Sequence, residues 1–306
     1  MRRKSLLIRG LSLIFLCMSQ IAFAQSQDAP TLRLMTYNIQ HGAGMDDVVD
    51  LDRQAAIISN AQPDFVGLQE VDSVVKRSGY IDEAAALGKK LGMHAVFGPA
   101  IPLSRGKYGV AVLSKKTPLS VRNIPLPGAE KRTLLVCEFE DCVFATTHLD
   151  LEEANRLASL PIILEEAARW EKPFFICGDW NDKPSSQLIT QIKRNFRVLN
   201  FINDSNTNYT FPAGTPKSII DYIASTKYFV KKVNSSKVLK EPQASDHRPV
   251  VVEVTLDQDY ITRVQSAPSA CNEGRGNGCF DLAGRRMEEA PQKGIYIQNR
   301  KKVAVK

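Results

Sequence analysis

Hydrophobic and polar positions alternate along Thr31–Ile39, which predicts a strand ending in a polar tip from Asn38 to His41. From Leu51 to Ala61 the period lengthens. Leu51, Ala55 and Ile58 share one helical face, and Asp50 stands where an N-cap belongs. The short apolar run Phe65–Leu68 predicts a buried strand ending in Gln69-Glu70, and Ile81–Leu91 predicts a second helix. Val110–Leu113 and Leu134–His148 predict further strands, the latter folded back near Glu140-Asp141. Asp150 and Glu153 have capping-box spacing and open a helix through Trp170, in which Pro161 predicts a kink or break. Phe174–Cys177 is a short apolar strand ending in Gly178-Asp179-Trp180-Asn181, and Ser218–Ala224, Tyr228–Val233 and Pro249–Val254 supply more strands. Strands and helices alternate without an internal repeat, the pattern of an α/β domain.

The polar residues fall at the strand ends: Asn38, Glu70, His148, Asp179 with Asn181, Asp221, and Asp246-His247. Strand ends of an α/β sheet are rigid positions whose polar tips can meet at one rim. Each residue alone has an ordinary explanation. A strand-end Glu is commonly a solvated edge, Asp-Asn after Gly a turn, Ser245-Asp246-His247 an N-cap, and His148 a structural hydrogen-bonding residue. Six strand ends together point to a site. Asn38, Glu70, Asp179, Asn181 and Asp246 offer the hard oxygens that Mg²⁺, Mn²⁺ or Ca²⁺ prefers. The chain holds only four His, and two of them, His148 and His247, belong to this set, suited to proton transfer or transition-state stabilisation.

These motifs carry a family resemblance. Thr36-Tyr37-Asn38, Leu68-Gln69-Glu70-Val71-Asp72, Tyr108 through Ser114, Thr147-His148-Leu149-Asp150, Gly178 through Asn181, Ile220-Asp221-Tyr222-Ile223 and Ser245 through Val250 occur in one order over residues 31 to about 255. The series resembles the endonuclease/exonuclease/phosphatase superfamily, the group of pancreatic-type deoxyribonuclease, abasic-site endonucleases, inositol polyphosphate 5-phosphatases and neutral sphingomyelinases. The resemblance implies a four-layer α/β/β/α sandwich of two mixed sheets with helices outside, and Mg²⁺-dependent phosphoester hydrolysis. Carried over motif by motif, it makes Glu70 the principal metal ligand, with Asn38 and Asp246 completing the site. Asp179 would orient or deprotonate the attacking water, and Asn181 and His148 would hold the scissile phosphate. His247, fixed by Asp221, would stabilise the transition state or protonate the leaving oxygen, and Tyr108 matches a position that contacts the phosphate. The chain departs from many relatives in carrying Lys217-Ser218 where Arg precedes the Ile-Asp pair. His41 reads equally as a rim contact or a surface residue.

Composition and charge refine this reading. The 306 residues are 43% hydrophobic and 24% charged, ordinary for a folded domain and unlike a fibrous or disordered chain. The formal net charge of +7 comes from the ends, since residues 25–280 hold 29 Lys+Arg against 30 Asp+Glu. A neutral body lacks the global footprint of a generic DNA binder, although Lys115-Lys116, Lys131-Arg132 and Arg105 with Lys107 could form local patches. Residues 1–24 have a basic start, a short apolar run and Ala22-Phe23-Ala24, the pattern of an export signal cleaved after Ala24. Five cysteines follow. Cys137/Cys142 and Cys271/Cys279 are each placed to close a disulfide in an oxidising compartment, and Cys177 reads as a buried small hydrophobe. The expected organisation is a signal peptide (1–24), a catalytic domain (25–260), a linker (261–280) and a short tail (281–306). The tail contains a strand-like patch, Gly294 to Ile297, and resembles the end of the carboxy-terminal sorting segment of Bacteroidetes secreted proteins. The protein is thus expected to be periplasmic, surface-bound or secreted. The function expected first is a phosphodiesterase, ahead of a nuclease and of a sphingomyelinase-like or inositol-phosphate hydrolase. Its partners would be nucleic acid or a phospholipid or inositol phosphate head group, and a catalytically silent binding module is the non-enzymatic alternative.

Overall fold

Leu32 and every position from Leu34 to Asn38 is buried, so the first strand lies inside a sheet rather than at its edge. The computed structural model describes residues 30–201, 203 and 205–266, with strand residues 279–280, 286–287, 294–298 and 301–305 beyond them. In chain order the elements are β1 (Thr31–Asn38), α1 (Leu51–Ala61), β2 (Phe65–Ser73), α2 (Glu83–Leu91), β3 (His94–Leu103), β4 (Gly106–Ser114), β5 (Ser120–Leu126), β6 (Arg132–Glu138) and β7 (Val143–His148). They continue with α3 (Glu153–Ala167), β8 (Phe174–Asp179), α4 (Gln187–Asn195), β9 (Phe196–Val198), β10 (Asp221–Thr226), β11 (Val230–Val238), β12 (Val250–Leu256) and α5 (Gln258–Ser266). Four tail strands, β13 (Cys279–Phe280), β14 (Arg286–Met287), β15 (Gly294–Gln298) and β16 (Lys301–Val305), pair in a small sheet of their own.

Two six-stranded mixed sheets form the body, ordered β11-β12-β1-β2-β4-β3 and β5-β6-β7-β8-β10-β9. Each contains one parallel pair, β1 with β2 and β7 with β8, bridged by α1 and α3 respectively. The sheets meet over a shared core that includes Leu34, Phe65, Val112, Leu135, Phe144, Phe175, Ile223 and Val252. A second core packs α1 and α2 on the outer face of the first sheet, and a third packs α3 and α4 on the second. The result is the four-layer α/β/β/α sandwich. Among the described residues no helix is long and apolar enough to cross a membrane.

Several local expectations need correction. Helix α1 has the expected bounds and cap, with Asp50 accepting from the Asp52 amide. Helix α2 starts two residues later than expected, at Glu83, because Asp82 caps it by accepting from the Ala85 amide. Pro161 does not end α3, which runs through to Ala167. Packing of Leu160 and Ile163 against the second sheet holds the helix where the missing N–H would weaken it. The capping box is absent as well, since Asp150 accepts from the Glu152 amide in a turn before the helix. Helix α5 runs across the expected boundary at residue 260 and seats Ile261 in the inter-sheet core. Cys137 and Cys142 flank the expected β6–β7 hairpin but lie buried as free thiols, and Cys177 is a third. Cys271 lies outside the described residues, as do 1–29, where the export signal was expected.

Candidate active site

The first sheet delivers Asn38 from the end of β1 and Glu70 from β2. Glu70 sits in a bulge, where the β2–β4 register shifts between Leu68 and Val71 and its own φ is 55°. One extra residue in β2 turns the Glu70 side chain out of the ladder toward the rim. The second sheet delivers His148 and Asp179 from the ends of parallel neighbours β7 and β8, where they pair in register. Asp221 starts β10 directly opposite Asp179. His247 arrives on the segment before β12.

These residues form one hydrogen-bonded network. Asn38 Nδ2 donates to Glu70 Oε1 at 3.1 Å and to Asp179 Oδ2 at 3.3 Å, which joins the sheets across the site. His247 stands between two carboxylates, with Nδ1 3.1 Å from Asp221 Oδ2 and Nε2 3.5 Å from Asp179 Oδ2. Burial pulls this imidazole toward neutrality, but the Asp221 and Asp179 charges outweigh it and push its pKa up to about 10. Burial likewise pushes Asp179 up, to about 7, with the His247 charge opposing. His148 Nε2 is 3.0 Å from Asn181 Nδ2 and 3.5 Å from Asp179 Oδ2. Burial, Arg132 and His247 hold its pKa well below the usual value, so the ring is neutral. Asn181 is anchored by its amide on Asp179 Oδ1 at 2.9 Å and its Nδ2 on the Leu149 carbonyl at 2.9 Å.

Tyr108 and Asp246 occupy the rim. The Tyr108 hydroxyl has no protein partner among the described residues, and burial raises its pKa. Asp246 is half-buried, and its charge adds to burial in raising the Glu70 pKa. Ser245 and Gln40 fix this corner. Ser245 Oγ donates to the Asn38 carbonyl at 2.7 Å and accepts from the His247 amide at 3.2 Å. Gln40 Oε1 accepts from the Asp246 amide at 2.9 Å. Phe211 packs on the His247 ring with centroids 4.7 Å apart, and Arg132 Nη1 reaches 3.5 Å from His148 Nδ1. Ser245 lies inside one of the motifs, Gln40 in the polar tip after β1 and Arg132 in a basic pair, but the sequence does not show that they meet here.

The donor set suits a hard divalent cation at Glu70. Burial and the Asp246 charge raise the Glu70 pKa against the Asn38 hydrogen bond and the His247 and Arg77 charges, so the two carboxylates together offer oxygens that a cation would favour. Asn38 is turned differently from expectation. Its Oδ1 accepts from the Gln40 amide at 3.1 Å, so here it orients Glu70 and Asp179 through nitrogen. Asp179, Asp221 and His247 also converge, with one ligand atom from each within 4.8 Å of the others. In that cluster His247 itself is the bridging cation.

Of the basic pairs, Arg132 touches the site and Arg105 and Lys107 lie on the β3–β4 hairpin next to Tyr108. Lys115 and Lys116 lie at the opposite pole, paired with Asp64 and Asp141. Lys217 lines a cavity of about 350 Å³ with Lys183 and Tyr209.

A model of the Endonuclease/Exonuclease/phosphatase family matches residues 35–247. Among solved structures, the chain is similar to an endonuclease/exonuclease/phosphatase from Bacteroides vulgatus, at 21% identity and TM-score 0.62, covering 74% of this chain and all of that one. A counterpart from Beutenbergia cavernae is 22% identical with TM-score 0.61, covering 88% of this chain and 89% of that one. A mannosyl-6-phosphatase from Bacteroides thetaiotaomicron is 17% identical with TM-score 0.59, covering 73% and 99%.

Proposed function

We infer, for a chain that belongs to the Endonuclease/Exonuclease/phosphatase family, that it is a metal-dependent phosphoesterase acting on phosphodiesters by in-line attack of water. The observation that carries the reading is His247 held between Asp221 and Asp179, with Asn38 tying Asp179 to Glu70. Glu70 and Asp246 would hold the cation, Mg²⁺ before Mn²⁺ or Ca²⁺, which supplies charge neutralisation at the phosphate oxygens. Asp179, buried and with a raised proton affinity, is suited to take a proton from water near neutral pH. Protonated His247 can donate to a phosphate or leaving-group oxygen, and Asp221 stabilises the charge it carries before that transfer. Asn181 and His148, in contact with each other beside Asp179, are the groups that would hold the scissile phosphate.

Hydrolysis of bis-p-nitrophenyl phosphate and p-nitrophenyl phosphate tests this, with EDTA, then Mg²⁺ or Mn²⁺ restored, beside a Glu70→Ala, His247→Ala double variant. Turnover that needs metal, is lost in the variant and favours the diester supports the reading. A monoester preference corrects it to a phosphatase. Inactivity on these esters and on plasmid DNA, sphingomyelin and inositol phosphates would leave the silent binding module. We further propose that residues 1–24 direct export and that 281–306 serves as a sorting tail. Both rest on sequence pattern, and the amino terminus of the cell-fractionated mature protein checks the first.

A further inference from the structure

The loop between β2 and α2 carries a cation whose hydrogen-bonding capacity is only partly used. Arg77 donates from Nε to Asp72 Oδ2 at 2.8 Å and from Nη2 to Asp72 Oδ1 at 2.9 Å. The Asp72 side chain is fully buried, while that of Arg77 is 42% exposed. The guanidinium carbon lies 5.4 Å from the centre of the Tyr108 ring. Two of the five N–H donors are engaged, and Nη1 has no partner among the described residues. A bidentate pair with a buried carboxylate fixes the guanidinium plane, so its open edge is preorganised. That edge borders the site, because Asp72 follows Glu70 by two residues and pairs with Tyr108 across the ladder.

A second unpartnered group approaches from β1. His41, in the turn Gln40–Gly42, has φ 45° and ψ 41°, a left-handed conformation unusual for histidine. Its ring is half-buried, and Nδ1 is buried without a hydrogen-bond partner. The turn packs beside the Arg77–Asp72 pair, since a Cβ on Gly42 would lie 3.1 Å from Glu83 Oε1 and Glu83 Oε2 accepts from the Asp72 amide at 2.7 Å. Burial first, then the Arg77 charge, lowers the His41 pKa. A strained backbone and an unmatched buried nitrogen at the rim of a site are features that a ligand would satisfy.

We propose that Arg77 and His41 form a second anion subsite beside Glu70, so that the preferred substrate carries a phosphate or carboxylate in addition to its scissile phosphoester. This rests on the phosphoesterase reading. Arg77 is the charged contact, and His41 adds a hydrogen bond to the same group.

Calorimetric titration of the full chain with Mg²⁺ in excess, using methylphosphonate, 3-phosphonopropionate and propane-1,3-bisphosphonate, tests the subsite without requiring turnover. The wild type is expected to bind one or both of the two-headed ligands about tenfold more tightly than methylphosphonate. Arg77→Ala and His41→Ala should each bring that ratio toward one, and Arg77→Lys should restore part of it by returning charge without the fork. Which two-headed ligand gains separates a phosphate from a carboxylate. A wild-type ratio near one, or a ratio retained in folded Arg77→Ala, overturns the proposal. If Arg77→Ala does not fold, Arg77→Lys and His41→Ala decide in the same way. Failure of bis-p-nitrophenyl phosphate hydrolysis would instead count against the hydrolase reading, leaving the binding ratio to judge the subsite alone.

Discussion

Asp221 meets His247 at Nδ1, the ring nitrogen that does not face Asp179, with both its oxygens within 3.3 Å. That position lets it govern the proton on His247 without touching the reacting atoms. Asp221→Asn keeps the shape and removes the charge that holds the imidazole protonated. We expect kcat to fall roughly 10²–10⁴-fold. The His247 pKa should also drop, moving the alkaline limb of the kcat–pH profile to lower pH, because less of the enzyme would retain the proton. An unshifted limb would show that His247 does not carry the proton in question. Glu83 makes the opposite kind of case, a buried acid outside the chemistry. Its Oε2 accepts from the Asp72 amide at 2.7 Å, its Oε1 has no partner, and burial raises its pKa to about 8. The folded state therefore keeps a proton that the unfolded chain loses near pH 4.5, and stability declines as pH rises from there toward 8. Glu83→Gln removes this dependence. Urea unfolding should find the variant near wild type at pH 5 and more stable by roughly 2–4 kcal/mol at pH 9. Parallel curves at both pH values would refute the assignment.

At the scale of elements, the geometry of the site depends on how β8 ends. Gly178 has φ 150°, and a Cβ there would fall on the Thr147 carbonyl of β7. Gly178→Ala must push these parallel strands apart just where they align His148 with Asp179. We expect a loss of roughly 1–3 kcal/mol in stability and more than tenfold in kcat. A wild-type kcat would show that the strand ends tolerate separation. The sequence revealed the elements unevenly, for physical reasons. Helix α1 was legible to the residue because it has a half-buried face at period 3.6 and a side-chain cap. Strands β3 and β5 lie at sheet edges, β3 mostly half-buried and β5 largely exposed, so they lack the fully buried apolar signature that marks β1 or β8. The Glu70 bulge is a matter of register between two strands, which no single stretch of sequence encodes. Seven of the nine expected site residues join one network, since strand-end motifs are local. The Arg77–Asp72 pair and the unpartnered His41 depend on loops whose course only the fold determines.

The whole molecule is needed for the site, because neither sheet holds it alone. Asn38, Glu70 and Tyr108 belong to the first sheet, and His148, Asp179 and Asp221 to the second. The docking of the sheets is thus a catalytic parameter as well as a structural one. Close to the site they are joined by a buried polar bridge, in which Gln69 Nε2 donates to Thr146 Oγ1 at 2.9 Å and Thr36 Oγ1 donates to Gln69 Oε1 at 3.2 Å. Next to that bridge, β2 has only a glycine. A Cβ on Gly67 would fall on the Cys177 sulfur and the Thr146 hydroxyl of the facing sheet. Gly67→Val cannot be absorbed by one flexible side chain, since both neighbours are buried and short. It should part the sheets by a fraction of an ångström, lower stability by roughly 2–4 kcal/mol and disturb the Asn38–Asp179 contact that spans them. Urea unfolding, kcat of the folded variant and the labelling rate of the buried Cys177 thiol would all register the change. Gly214, with no atom within 4 Å of a built Cβ, is the matched control, and Gly214→Ala should leave all three near wild type. If Gly67→Val lost stability while kcat stayed at the wild-type value, the two halves of the site would have to be aligned by the hydrogen bonds at the rim rather than by the packing of the sheets beneath it.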